Sequence, residues 1–297
     1  MRALITGGTG LIGTALIKKL RNQYRITVLT RDSVKAYKKL GHDIDTLNDL
    51  SSLSSLDSFD AVINLAGEPI ADKRWTDKQK ERIEQSRWQI TEQLAQLCQA
   101  SEEPPEVLIS GSAIGYYGRQ GEEPVTEAEP RVHDEFTHRL CAHWEQLALT
   151  AESEKTRVCL LRTGLVMAPS GGALARMSLP FKLGMGGPIG HGKQMMSWIH
   201  LDDIVDLIIF LLNNEKCSGP YNATAPHPVS NEEFSKTLGK VLHRPVFLRV
   251  PAFVMKGLLG EMADMLLTGQ AVLPQRAQEA GFQFRHAQLR EALQHCF

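Results

Sequence analysis

Cysteine is scarce in this chain of 297 residues: there are five, at Cys98, Cys141, Cys159, Cys217 and Cys296, with no C-x-x-C pair among them. An odd number at wide spacing supports neither a disulfide framework nor a cysteine zinc site, and suits a reducing compartment. An excess of charge of either sign is missing too. With a formal net charge of -1, no global basic field gathers nucleic acid or anionic lipid, so neither is expected as a partner. No apolar run approaches the ~20 residues of a membrane-spanning helix. Strand-like residues begin at Met1 and lead straight into glycines, where a secretory leader would need a basic start, an apolar core and a small-residue cleavage site. A soluble, cytoplasmic protein is the expectation these exclusions leave.

What is there is rhythm. Apolar runs at 2–6, 25–30, 61–65, 106–110 and 158–162 read as short strands of nearly continuous hydrophobicity, as parallel strands covered on both faces require. Between them, 13–22, 77–100 and 135–152 carry apolar residues at helical spacing. The alternation predicts the α/β class: a Rossmann-type, doubly wound parallel sheet. After Arg162 the texture changes. Residues 168–192 are rich in Gly and Pro and read as a long surface excursion rather than a core element. "SWIHLDDIVDLIIFLLNN" then predicts a helix starting at Asp202 or Asp203, "GPYNATAP" another strand edge, and Ser230 with Glu233 a capping box. The tail from Pro245 reads as helices and turns, a small, mostly helical C-terminal unit.

The opening segment carries the first chemistry. "GGTGLIG" places Gly7, Gly10 and Gly13 after a strand and before a helix. A dinucleotide needs that turn to be sharp, the backbone to approach the pyrophosphate, and the helix to pack near the sheet, and side chains at the three glycines would obstruct all three. Thr9, Leu11 and Ile12 complete the loop, whose N–H groups and helix start suit phosphates. The second strand ends "ITVLTRD", with Thr30 and Arg31 at the tip. An acid at that tip would take both ribose hydroxyls, whereas a guanidinium favours a 2′-phosphate. NADP(H) is therefore the expected cofactor, unless Arg31 is merely a surface residue or Asp32 turns inward. "AVINLAGEP" reads as a third cofactor-side strand ending at Leu65, Ala66 and Gly67. Arg87, in "SRWQIT", either faces the phosphates or is an exposed helix arginine.

Taken together, the glycine spacing, "NLAG", "SGSAIGYYG", "LLRTGLV" and "WIHLDD", in that order over about residues 1–225, resemble the extended short-chain dehydrogenase/reductases of the NAD-dependent epimerase/dehydratase superfamily. "LPFKLGMGGPIGHGKQMMSWIHLDD", "YNATAP" and "VLPQRAQEAGFQF" are similar to its atypical, poorly characterised epimerase-family subgroup of the bacterial YfcH type. The resemblance implies a dinucleotide domain over 1–167, completed by roughly 197–230, with 168–196 and 231–297 forming a substrate-side lid and C-terminal domain. It also implies a tyrosine and, four residues on, a lysine on the helix after the fifth strand, together with a serine on the preceding strand end. Ser112 matches the serine. Aligning Glu145 with the glutamate that follows the lysine places Thr137 and Cys141 at the dyad positions, and neither can do that chemistry.

Substitutes are few. Tyr116 and Tyr117 follow Ser112, and Ser112 with Tyr116 form the candidate catalytic pair, with packing as the plainer role for the tyrosines. His138 and His143 lie five apart and cannot both face inward. Glu68 is either a base near the nicotinamide or a cap, Arg162 either a site residue or an ion-pair partner, and Val166 an apolar wall for the nicotinamide half. His200 with Asp202 and Asp203 is read as a helix start rather than a metal site, so no metal is expected. Two functions remain open. One is an NADP(H)-dependent oxidoreductase or epimerase acting on an unidentified small molecule, sugar-nucleotide-like chemistry included. The other is a noncatalytic NADP(H)-binding sensor or regulatory protein linked to cell division. The resemblance also offers a homodimer by analogy.

Overall fold

Strands that are apolar on both faces persist only when helices cover both, and that is the arrangement found. The computed structural model describes residues 1–128 and 131–297. In chain order it begins with β1 (Arg2–Thr6), α1 (Leu11–Leu20), β2 (Arg25–Leu29), α2 (Ser33–Leu40), β3 (Asp45–Leu47), β4 (Ala61–Asn64), α3 (Asp77–Gln99) and β5 (Val107–Ala113). Next come β6 (Pro124–Val125), α4 (Phe136–Leu149), β7 (Arg157–Thr163), β8 (Leu165–Met167), α5 (Gly172–Lys182), β9 (Met195–Met196), β10 (Trp198–His200), α6 (Leu201–Asn213) and β11 (Gly219–Ala223). The remainder is β12 (Val229–Ser230), α7 (Asn231–Val241), α8 (Ala252–Leu259), α9 (Asp264–Leu267), β13 (Ala271–Val272), α10 (Gln275–Glu279) and α11 (Leu289–Cys296).

Seven strands form one parallel sheet in the order β11-β7-β5-β4-β1-β2-β3. Alternation along each strand decides which face a side chain enters. Ile5, Ile63, Ile109 and Leu161 pack on one side with Leu16 of α1 and Ile204 of α6. Leu4, Val62, Leu108 and Leu160 pack on the other with Leu94 of α3 and Ala148 of α4. The C-terminal unit has its own core, in which Phe234 and Leu238 of α7 and Leu289 and Leu293 of α11 surround Trp198. Among the described residues no helix is long and apolar enough to cross a membrane.

Two expectations change. The segment 168–192 is not all surface excursion, since α5 lies within it and buries Leu174 and Phe181. Its glycines and Pro180 hid the helix, although Leu174, Met177 and Phe181 keep a helical spacing that betrays it. Strand β5 also runs beyond residue 110 to Ala113, which brings Ser112 into register with Arg162 of β7.

Candidate functional site

The order of the sheet reverses between β1 and β4, and ligands of doubly wound folds occupy the crevice at the carboxyl ends of such strands. Here the two strand ends touch. Gly7 has φ +65°, and a Cβ on it would lie 2.4 Å from the Leu65 carbonyl oxygen; one on Gly13 would lie 2.4 Å from the carbonyl oxygen of Gly7. Gly10 differs: a Cβ there meets only Gly7 O, at 3.1 Å, and otherwise faces open space. Its N–H donates to Gly7 O at 2.8 Å, closing the turn. No side chain caps α1, so the N–H groups at its start beside Leu11 and Ile12 are free for an anion. The start of α5 is likewise uncapped, and a Cβ on Gly172 would stand 3.0 Å from Leu11. Two positive helix ends therefore converge on this loop.

At the tip of β2 the two acidic and basic candidates part company. Asp32 caps α2, accepting the Lys35 N–H at 3.0 Å and pairing with the Lys35 ammonium at 3.0 Å. The hydrogen bond from Lys35 holds its carboxyl below the usual carboxylate range. The Asp32 N–H lies 3.3 Å from Thr30 Oγ1. Arg31 is exposed and has no ion-pair partner among the described residues. Nearby, Lys39 of α2 donates to the Thr9 carbonyl at 2.7 Å, adding a second cation to the rim of the loop.

Below the crevice, Leu65, Ala66 and Gly67 leave β4. Thr6 Oγ1 accepts the Ala66 N–H at 3.1 Å and donates to Asn64 Oδ1 at 2.6 Å, fixing the two strand ends together. Gly67 and Arg87 approach closely: a Cβ on Gly67 would lie 2.8 Å from Cζ of Arg87, whose guanidinium would have to shift. Arg87 is partly buried, donates to Ile83 O at 2.9 Å and lies over the Trp144 ring at 5.3 Å. Burial lowers its pKa, with Cys141 and Glu68 opposing the shift. No carboxylate pairs with it among the described residues, so it is neither an exposed helix arginine nor a neutralised one. Val166 sits in β8, paired with Ile199 of β10, and packs on the main core.

Beside the crevice, strand register builds a buried polar row. Ser112, Arg162 and Asn222 are neighbours across β5, β7 and β11. Glu145 of α4 receives two hydrogen bonds from Arg162, each 2.8 Å, and one from Ser112 Oγ, 2.6 Å. Arg162 also donates to Tyr117 Oη at 3.0 Å, and that hydroxyl donates to Asn222 at 2.8 Å. Burial works to lower the Arg162 pKa, but the hydrogen bonds to Glu145 overcome it and the net shift is upward. The Ser112 proton is thus given to Glu145, not held out toward a ligand. Tyr116 lies differently, half-buried, with its ring centroid 3.5 Å from Cζ of Arg162. Its hydroxyl has no hydrogen-bond partner among the described residues. Thr137 donates to Glu135 at 2.9 Å. Cys141 is buried, and burial pushes its thiol up to about 12.

The NAD dependent epimerase/dehydratase family matches residues 3–223. The chain belongs to that family. A domain of unknown function, DUF1731, matches residues 250–296. An epimerase family protein of Staphylococcus aureus strain MRSA252 is 38% identical over 293 residues, covering 98% of this chain and 97% of its own length. The chloroplastic SDR39U1 homolog of Arabidopsis thaliana, also an epimerase family protein, is 41% identical over 300 residues, covering 99% of this chain and 86% of its own. The crystal structure of human epimerase family protein SDR39U1 (isoform 2) with NADPH matches at a TM-score of 0.91 and 34% identity, over 100% of this chain and 99% of that one.

The other polar candidates of this epimerase/dehydratase family member make local contacts, the Glu68 carboxylate excepted among the described residues. His138 Nδ1 meets the Tyr116 carbonyl, while His143 sits edge-on to Trp88 at 4.5 Å, so one histidine faces inward as helix geometry requires. The Glu68 N–H donates to Ser86 Oγ at 2.8 Å. His200, not an aspartate, caps α6 by accepting the Asp202 N–H at 3.0 Å. Sequence reading missed the links that tie the C-terminal unit and α5 to the crevice wall: Lys80 pairs with Glu261 at 2.6 Å, and Arg176 of α5 pairs with Asp72 at 2.8 Å across the segment after β4. Pairs between residues so far apart, 181 positions for Lys80 and Glu261, carry no local sequence signal.

Proposed function

We propose that the crevice binds NADP(H) and that the chain is an atypical short-chain dehydrogenase/reductase, an oxidoreductase or epimerase acting on a small molecule without the usual tyrosine–lysine dyad. The observation that carries the cofactor assignment is the division of labour at the β2 tip: Asp32 is spent on its helix and Arg31 is left exposed. A 2′-phosphate then meets a guanidinium rather than a carboxylate. Bound NADPH in the human relative supports the same reading. Thr9, Gly10, Leu11, Ile12 and Gly13 take the pyrophosphate, Thr30 and Arg31 the adenine ribose, and Leu65, Ala66 and Gly67 the backbone contacts. Arg87 supplies a partly buried positive charge beside Gly67, and Val166 the apolar wall. The cofactor carries the hydride, so the protein's part is orientation and proton management.

Tyr116 is the proton donor of this reading, because its hydroxyl is uncommitted and its ring is fixed on Arg162. Ser112 assists only by accepting, since its own proton goes to Glu145. Residues 168–196 and 231–297 form the substrate side, held over the crevice by Lys80–Glu261 and Arg176–Asp72. The Ser112–Glu145 bond also favours a second reading, a noncatalytic NADP(H) sensor whose site has given its chemistry over to structure.

One experiment separates the two. NADPH absorbance and conversion of substrate to product are both followed with pools of carbonyl metabolites and nucleotide sugars, because an epimerase returns its cofactor unchanged. The enzyme reading expects turnover that falls about 10²–10⁴-fold in Tyr116→Phe, with NADPH affinity unchanged, and under about tenfold in Ser112→Ala. Tight NADPH binding with no turnover in any pool selects the sensor. Full turnover in Tyr116→Phe removes Tyr116 from the chemistry.

A further inference from the structure

Three imidazoles and a carboxylate from three separate stretches of chain meet where the C-terminal unit joins the sheet. His200 ends β10, Asp202 lies in the first turn of α6, His286 precedes α11, and His295 is in its last turn. One ligand atom from each lies within 4.8 Å of all the others. Asp202 Oδ2 is 3.8 Å from His200 Nδ1 and 3.8 Å from His286 Nε2. His200 Nε2 is 3.1 Å from His295 Nδ1.

The neighbouring acids have other work. Asp203 accepts the backbone N–H groups of Arg285 and His286, at 2.8 and 3.0 Å, and Asp206 pairs with Lys19 and Arg285. Asp202 alone is uncommitted: among the described residues no Lys or Arg pairs with it and its carboxylate accepts no hydrogen bond. It is directed at two imidazoles. We propose that His200 Nδ1, Asp202 Oδ2 and His286 Nε2 bind one divalent transition-metal ion of zinc type, with His295 holding His200 from behind.

Tautomer logic selects these atoms. If Nδ1 of His200 takes the ion, its proton resides on Nε2 and is donated to His295 Nδ1, the arrangement by which a ligating histidine is usually fixed in place. Zinc–nitrogen and zinc–oxygen bonds of ~2.0–2.2 Å at tetrahedral angles put ligand atoms about 3.3–3.5 Å apart. The 3.8 Å separations therefore close by a few tenths of an ångström, roughly the play of a half-exposed aspartate. Binding releases the Asp202 N–H from His200, but a first-turn N–H has no intrahelical partner to lose, and Asp202 is open enough for water to replace it. Three carboxylates, Asp202, Asp203 and Asp206, stand against two cations, Lys19 and Arg285, both of which pair with Asp206, so the local charge tolerates a cation despite the positive end of α6. The ion would staple the α11 segment to α6. Asp202 and His286 are only partly buried, leaving the fourth position to water.

The test is titration of metal-free, full-length protein with Zn²⁺ against a chromophoric chelator, with circular dichroism to check each variant's fold. One equivalent is expected to bind. His286→Gln and Asp202→Asn lose at least about 100-fold in affinity, His295→Phe loses about 10–100-fold, and His191→Gln, remote and exposed, is unchanged. Zinc also raises the thermal midpoint of the wild type but not of His286→Gln. Undiminished one-to-one binding in Asp202→Asn/His286→Gln overturns the site, as does no binding by the wild type. Should the variants not fold, Co²⁺ on the wild type decides: strong visible bands of low coordination support the site, and the weak bands of a hydrated octahedral ion overturn it.

Discussion

Exchanging Glu145 for glutamine lowers stability by about 3–5 kcal/mol, the usual consequence of removing one member of a buried ion pair. The side chains of Arg162 and Glu145 are only 4% and 6% exposed. Without the carboxylate, Arg162 keeps the Tyr117 hydroxyl but loses its counter-charge; the glutamine oxygen can still accept from Ser112, while its amide N–H₂ faces a guanidinium donor in place of an acceptor. The loss is an uncompensated charge rather than the net worth of the pair, so the double variant Glu145→Leu/Arg162→Met recovers more than half of it. Urea unfolding followed by circular dichroism measures both. A single-variant loss under about 1 kcal/mol, the scale of an exposed pair, rejects the buried pair as the anchor of this wall.

Gly7→Val abolishes dinucleotide binding, with affinity falling at least about 100-fold, and Gly10→Ala weakens it roughly tenfold while leaving stability near wild type. The contrast follows from space. At Gly7 a Cβ strikes Leu65 O at 2.4 Å and the backbone is left-handed, so the strand end itself must move. At Gly10 the added methyl meets only one atom, at 3.1 Å, and otherwise faces open space, which the proposed reading gives to the pyrophosphate. Fluorescence titration with NADPH, paired with thermal melts, distinguishes the two. If Gly10→Ala binds as the wild type does, the loop does not cradle a phosphate.

The central fold was legible because each buried strand carries its own signal. Arg2–Thr6 is bounded as its apolar run suggests, and α3 starts at Asp77 behind a Thr76 cap that accepts the Gln79 N–H. The glycine loop was legible for a related reason: it is local, and its geometry tolerates few other residues. Three-residue β3 was not, since an edge strand with an exposed Asp45 leaves almost no apolar pattern. Nor was the fate of Ser112. Its partners Glu145 and Arg162 are 33 and 50 residues away and are selected by strand register. The histidine cluster is the extreme case. His200, Asp202 and Asp203 read together as a helix start, and only the packing of α11 and the segment before it brings His295 and His286 against His200.

The most direct test of the account is calorimetric titration of the purified protein with NADPH and NADH, repeated for Arg31→Ala. The account expects the wild type to bind NADPH more tightly than NADH, and Arg31→Ala to lose about 10–100-fold for NADPH, the worth of a charged hydrogen bond, with NADH little changed. Heat from neither dinucleotide would contradict it.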